Sequence, residues 1–312
     1  MLNIQRILFP TDFSDGARRA FPQAAYLADW HDAELHILNV TGRHSHDYGD
    51  DRKRFPLSAD TLTDWMRRPA GKDAERPDLA QLPIVQKQVE GASPEERILA
   101  YLEDADIDLV VMGTHGRRGV DRMLFGSVTE DVVRRSACPV LTVRTEAEAA
   151  PGRAVRRVLV PMDFSEASRL ALAHAKEIAL TYGAEIDLLH VVEETVYPPA
   201  YGLEPAYFPT QEVVDRVEKQ LGDMARDDIG YEHVMISATV GRPATEIIDY
   251  VKENEIDFLV IATHGRTGLD RVLFGSVAEE VIRRAPTPVF VVKPGRKSLL
   301  PAPKAQATST GR

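Results

Sequence analysis

The sequence predicts an α/β protein made of two tandem, doubly wound, five-stranded parallel-sheet domains, and three observations predict it. The first is an internal repeat: Thr114–Val143 returns as Thr263–Val292 with well over half its positions identical. Upstream, Ile7-Leu-Phe-Pro-Thr-Asp12-Phe-Ser14 matches Val158-Leu-Val-Pro-Met-Asp163-Phe-Ser165. One unit of about 150 residues is therefore written twice. The second is that short apolar runs alternate with helical patterns in each copy, the signature of a parallel sheet with helices on both faces. The third is that runs such as Leu109–Met112 and Phe258–Ile261 are apolar throughout, as strands covered on both sides must be.

In copy one, Ile4–Phe9 reads as a buried strand closed by Pro10. Ser14 is placed to cap a helix from Asp15 to about Trp30. Glu34–Val40 and Ile84–Val89 are the next strands. Ser93-Pro94-Glu95-Glu96 is a capping box with proline at the first helical position, opening a helix to about Asp104. Asp108–Met112 is the fourth strand. Ser127-Val-Thr-Glu130 reads as a second capping box for a helix to about Ser136, and Cys138–Val143 is the last strand. Copy two repeats the series, with strands near Val158–Val160, Glu185–Val191, Val234–Ala238, Asp257–Ile261 and Val289–Val292. Between its second and third strands each copy holds a long insert that reads as irregular. The first, Thr41–Leu82, is polar, and the second carries Tyr197-Pro-Pro-Ala-Tyr201 and Tyr207-Phe-Pro209. The domains are expected at 1–146 and 153–296, joined by a small polar linker, with a disordered tail at 297–312 rich in Pro, Ala, Ser and Thr.

Composition narrows the function classes. A net charge of -10 disfavours sequence-independent nucleic-acid binding and attraction to anionic membranes, so neither is expected as a partner. Cys138 is the only cysteine, which rules out an intrachain disulfide and suits a reducing compartment. The first residues run straight into a strand without a basic segment and apolar core, and no apolar run is long enough to span a bilayer. A cytoplasmic location is the expectation.

The motif that carries chemistry is a glycine spacing: Gly113-Thr-His115-Gly116, nine residues, then Gly126-Ser127. In copy two it reads Ala262-Thr-His264-Gly265, nine residues, then Gly275-Ser276. Glycines let backbone N–H groups approach an anion, and a helix beginning at Ser127 or Ser276 aims its positive end at the same place. Ligands of doubly wound folds sit beyond the carboxyl ends of the strands where strand order reverses. If the first and fourth strands are neighbours there, the Asp12 loop and the glycine loop share one crevice. The bland alternative leaves the glycines as turn residues and the serines as caps. Ala262 departs from the pattern: a methyl group works against binding if that position needs a positive φ or close phosphate approach.

Pro10-Thr11-Asp12-Phe-Ser14 after strand one, followed by Gly-x2-Gly-x9-Gly-Ser after strand four, resembles the tandem form of the universal stress protein family, over nearly all of the chain. The resemblance implies the adenine nucleotide alpha hydrolase-like, Rossmann-like fold of that family's ATP-binding branch. It implies that Asp12 contacts the adenosine part of ATP, that Val40 lies by the adenine, and that Gly113, Gly116, Gly126 and Ser127 bind the phosphates. In copy two, those roles fall on Asp163, Val191, Gly265, Gly275 and Ser276. The strand-one residues Pro10, Thr11 and Pro161 are counted with the site. His115 and His264 either meet phosphate or are structural loop residues, and Arg117 and Arg266 either meet the outer phosphates or are solvated. Magnesium would accompany a bound triphosphate. The resemblance also implies pairing through the last strands, as a homodimer or within the chain.

Neither the Walker-type Gly-x4-Gly-Lys-Ser/Thr loop nor GxGxxG occurs, and no clustered Cys/His set suggests zinc. The reading is an ATP-binding regulator or sensor of the stress response that acts through protein contacts with a regulatory partner and carries no dedicated cleavage machinery. Two alternatives stand beside it: a slow ATPase or phosphotransferase using Asp12 or His115, and an interaction scaffold without nucleotide. No residue is assigned as catalytic.

Overall fold

The computed structural model describes residues 2–42, 55–66, 77–114, 126–144, 155–193, 211–263 and 275–301. The first half runs β1 (Arg6–Pro10), α1 (Asp15–Trp30), β2 (Glu34–Thr41), α2 (Ala59–Met66), β3 (Ile84–Glu90), α3 (Pro94–Asp104), β4 (Leu109–Gly113), α4 (Ser127–Arg135) and β5 (Val140–Val143). The second runs β6 (Arg157–Pro161), α5 (Glu166–Tyr182), β7 (Glu185–Glu193), α6 (Gln211–Met224), β8 (Val234–Gly241), α7 (Pro243–Glu253), β9 (Phe258–Ala262), α8 (Ser276–Arg284) and β10 (Val289–Val292). A π-helical turn, Ala225–Ile229, extends α6.

Each half is doubly wound and parallel as expected, but the two sheets are one. The order is β3-β2-β1-β4-β5-β10-β9-β6-β7-β8, with β5 and β10 antiparallel at the centre. Thr142, Leu141 and Val140 face Val289, Phe290 and Val291. Both strands are buried along their whole length, so joining them satisfies backbone groups that an isolated half would leave at an open edge. The carboxyl ends of the two halves' strands consequently lie at opposite edges of the sheet.

Alternating strand residues feed two cores. Ile7, Phe9, Leu35, Ile37, Val158 and Val160 pack with α1, α2, α5 and α6 on one face. Leu8, Leu38 and Leu159 pack with α3, α4, α7 and α8 on the other. The period-two alternation of a strand therefore serves both faces with apolar side chains.

The inserts are less irregular than their composition suggests, since α2 and α6 fall within them. Leu62, Trp65 and Met66 of α2 are buried, and Trp65 meets Phe9 and Phe21 edge-on at ring-centroid distances of 6.4 and 5.5 Å. Three apolar residues at helical spacing are enough to bind a short helix to the sheet, although the surrounding segment is polar. The aromatic loop of the second insert lies outside the described residues.

Helix starts follow the capping chemistry at three of the five serines considered across the two halves. Ser14, Ser93 and Ser165 accept from the backbone N–H of Ala17, Glu96 and Ser168. Ser127 does not. Gly126 takes the extended N-cap conformation (φ -64, ψ 130) and Ser127 is the first helical residue, with no side-chain cap. The same shift occurs at Gly275 and Ser276. The serine register is one residue off because the preceding glycine already donates to Thr114 or Thr263 and sets the entry of the chain.

Of the stretch 297–312 expected as a tail, Lys297–Pro301 is described, and it is packed. Lys297 Nζ lies 2.8 Å from Asp106 Oδ1 and 2.7 Å from Asp108 Oδ1 of the first half. Leu299 is fully buried, and its carbonyl accepts from Asn3 N at 2.8 Å. His174 of α5 accepts from Leu299 N and lies 3.3 Å from Ser298 Oγ. One apolar side chain and one lysine among acids anchor a segment whose composition reads as disordered.

Candidate nucleotide site

The crevice is built from chain ends that the topology gathers. β1 pairs with β2 on one side and β4 on the other, so strand order reverses between β1 and β4. Thr11-Asp12 after β1, Val40 near the end of β2, Gly113 ending β4 and Gly126-Ser127 opening α4 all lie at the carboxyl edge. The second half gathers Met162-Asp163, Val191, Ala262 and Gly275-Ser276 in the same way around β6 and β9.

The first loop turns sharply. Phe13 and Phe164 both sit at positive φ, 62° and 64°, a conformation that costs a bulky residue about 1–3 kcal/mol. The loop hydrogen bonds hold it there. Ser14 N donates to Asp12 Oδ1 at 3.0 Å, and Ser165 N donates to Asp163 Oδ1 at 3.0 Å. In the first half Phe13 N also donates to the buried Thr11 Oγ1. Thr11 thus spends its hydroxyl on the turn, Pro10 is buried, and Asp12 is left exposed at the lip. Pro161 and Asp163 are half-buried at the matching positions.

Asn39 and His190 stand behind these loops, two residues that the motif pattern alone does not single out. Asn39 Nδ2 donates to Thr11 O at 2.8 Å, and its Oδ1 accepts from Gln88. His190 occupies the same register in β7 and donates from Nδ1 to Met162 O at 2.6 Å. The signal available in the sequence was a polar residue set in an apolar strand immediately before Val40 and Val191. Both valines are half-buried, leaving one face toward the crevice.

The phosphate side pairs the end of the fourth strand with a helix start. Thr114 N donates to Val143 O at 3.1 Å, and Gly126 N donates back to Thr114 O at 2.9 Å. Thr263, Val292 and Gly275 repeat this at 3.1 and 2.8 Å. A Cβ on Gly275 would lie 3.0 Å from Thr263 O, so any other residue would have to push that carbonyl aside by a few tenths of an ångström. Thr129 Oγ1 donates to Gly113 O at 2.9 Å, tying α4 to β4. Ser127 and Ser276 are exposed, and among the described residues no side chain caps the first N–H groups of α4 and α8 at this edge. A helix start of this kind can hold an anion.

Gly113 has a different reason from the one expected. Its φ is not positive, and an added Cβ would lie 2.5 Å from the Gly16 carbonyl oxygen. It is a glycine of close helix–strand packing. Ala262 therefore says nothing against a ligand in the second half, where Ala167 stands in place of Gly16. His115, Gly116, Arg117, His264, Gly265 and Arg266 lie outside the described residues.

Cys138, by contrast, is a core residue. Burial pushes its thiol up to about 11, partly offset by Ser136, which keeps it protonated and inert. A small apolar cavity of about 20 Å³, lined by residues such as Leu27, His31, Tyr182 and Phe290, has room for about one water and includes none of the crevice loops.

The universal stress protein family model matches residues 3–144 and again 154–293. The chain belongs to the universal stress protein family. It is a tandem member, with each half matching the whole motif order. Universal stress protein Rv2005c of Mycobacterium tuberculosis is 31% identical over 190 residues, which is 60% of this chain and 62% of that protein. The match thus spans less than two thirds of that relative. Universal stress protein Rv2623 of the same organism is 30% identical over 216 residues, 68% of this chain and 69% of its own. A universal stress protein from Archaeoglobus fulgidus superposes with a TM-score of 0.60 at 23% identity, covering 93% of this chain and 98% of that one, which establishes the shared fold. Among the described residues no helix is long and apolar enough to cross a membrane.

Proposed function

We propose that this universal stress protein binds ATP in both halves and acts as a stress-response regulator whose protein contacts change with nucleotide. The observation that carries this reading is the pair of helix starts at Ser127 and Ser276. Among the described residues, each leaves its first-turn N–H groups without a side-chain cap, at the strand-order switch and on the same carboxyl edge as Asp12 or Asp163. A serine that capped its own helix would have used those donors internally. Asp12 and Asp163, fixed by Ser14 and Ser165, would meet the ribose, and Val40 and Val191, both half-buried, would offer apolar surface to a base. The residues present fit the anionic and nucleoside ends of ATP. Among the described residues no three His, Cys, Asp or Glu side chains gather as a metal site, so magnesium would arrive on the phosphates. We also take 1–146 and 153–296 as the functional units, and a reducing cytoplasm as the place of action.

Calorimetric titration of the purified chain with ATP tests this directly. Two ATP per chain are expected, and one each for Asp12→Ala and Asp163→Ala. No uptake of ATP by the wild-type chain at millimolar concentration would overturn the proposal and leave an interaction scaffold.

A further inference from the structure

Because β5 and β10 are antiparallel, α4 and α8 each begin at their own half's crevice and end at the edge where the other half's crevice opens. Both far ends are held by a basic side chain from the opposite half. Lys293, which follows β10, donates from Nζ to the carbonyl of Ser136, the C-cap of α4, at 2.9 Å. Arg144, which follows β5, donates from Nη1 to the carbonyl of Arg284, the last residue of α8, at 2.7 Å. Carbonyls at a helix end have no partner within the helix, and a charged side chain such as that of Arg144 also matches the negative end of the dipole.

These two residues continue directly from the crevices. Val143 accepts from Thr114, whose carbonyl holds Gly126, and the next residue is Arg144. Val292 accepts from Thr263, whose carbonyl holds Gly275, and the next residue is Lys293. A hydrogen-bonded path therefore runs from the first crevice through Arg144 along α8 to the second crevice, and a reciprocal one runs through Lys293 along α4. Each helix has nine residues, a rod about 13 Å long whose two ends are joined by its own hydrogen-bond ladder.

We infer that Lys293 is a positioning residue for the first nucleotide site and Arg144 for the second, each acting across the junction on the other half's phosphate-facing helix. This rests on the nucleotide reading above. The Lys293 contact is the better shielded from water, since that residue is only 6% exposed while Arg144 is half-buried.

The test isolates one site at a time. Ser276→Glu places a negative charge in the second phosphate crevice, and Ser127→Glu does so in the first. Glutamate suits the first helical turn, so both chains should fold. In the Ser276→Glu chain, Lys293→Met should weaken ATP binding by about fivefold or more, the low end of ordinary coupling between linked sites, and by more than Arg144→Met does. In the Ser127→Glu chain the order should invert. Lys293→Arg, which installs the residue of the first half, should restore most of the loss. Thermal unfolding of every variant is measured alongside, since a residue that only stabilises the chain would not produce the crossed pattern. Equal losses in both chains, larger damage to the residue's own half, or no loss from either variant would overturn the inference. Failure of the unmutated chain to bind ATP would instead refute the nucleotide reading itself.

Discussion

Gly113 at the end of β4 and Gly16 in the first turn of α1 are packed so closely that a Cβ on Gly113 would sit 2.5 Å from the Gly16 carbonyl oxygen. The corresponding residues of the second half are Ala262 and Ala167, and there α5 packs on β9 as α1 packs on β4. Both members of the pair change together. The two halves thus build one contact from two pairs, glycine with glycine and alanine with alanine.

Gly113→Ala should therefore cost about 1–3 kcal/mol, the usual penalty for forcing extra volume against a neighbour that cannot withdraw. Ala262→Gly should cost only about 0.5–1 kcal/mol, from backbone freedom gained by the unfolded chain. Urea unfolding of the two variants beside the wild type measures both. A larger loss for Ala262→Gly would contradict the packing account.

The serines divide into two roles. Ser14→Ala removes a cap on α1 and should lower stability by about 1 kcal/mol. Ser127→Ala removes no cap and should change stability by less than about 0.5 kcal/mol while weakening ATP binding. Denaturation and calorimetry on the same samples separate the effects.

His174 links α5 to the C-terminal segment only in its neutral form. Its Nδ1 donates to Leu170 O, leaving Nε2 to accept from Leu299 N. Burial pushes its pKa below the usual 6.5, while Leu170 and Glu177 oppose the shift weakly. As pH falls below 6.5 the unfolded chain takes the proton first, so stability should decline until the native His174 also protonates. His174→Gln should flatten this part of the pH–Tm curve relative to the wild type.

Lys293 gives the same sign in a higher window. Burial pushes it down to about 7 from 10.5, with Cys138 raising it slightly and Arg296 lowering it. Between those values the unfolded chain holds a proton that the native chain has released, so stability should rise with pH from about 7 toward 10.5. Comparison of thermal unfolding with Lys293→Met across that range should show the slope in the wild type alone.

The elements were legible where a local rule fixes them. Ser14, Ser93 and Ser165 cap the helices that their spacing announces, because the cap is made within three residues. Ser127 and Ser276 misled for the same reason: serine followed by Glu130 or Glu279 satisfies the local pattern, but the strand-end carbonyls of Thr114 and Thr263 capture the preceding glycine. The buried Leu299 shows the converse, since one apolar residue in a polar tail has no local meaning until a groove exists to receive it.

By itself the sequence determined that one α/β unit occurs twice, which strands are buried, and that aspartate and glycine–serine loops follow the first and fourth strands of each copy. Repetition and periodicity record such facts because each depends on residues a few positions apart. Only the tertiary structure decided that the two sheets fuse through β5 and β10, that Gly113 answers to Gly16, and that Lys293 and Arg144 reach across to helices of the opposite half. Those relationships join residues about a hundred or more positions apart, and only the packed sheet brings them within contact distance.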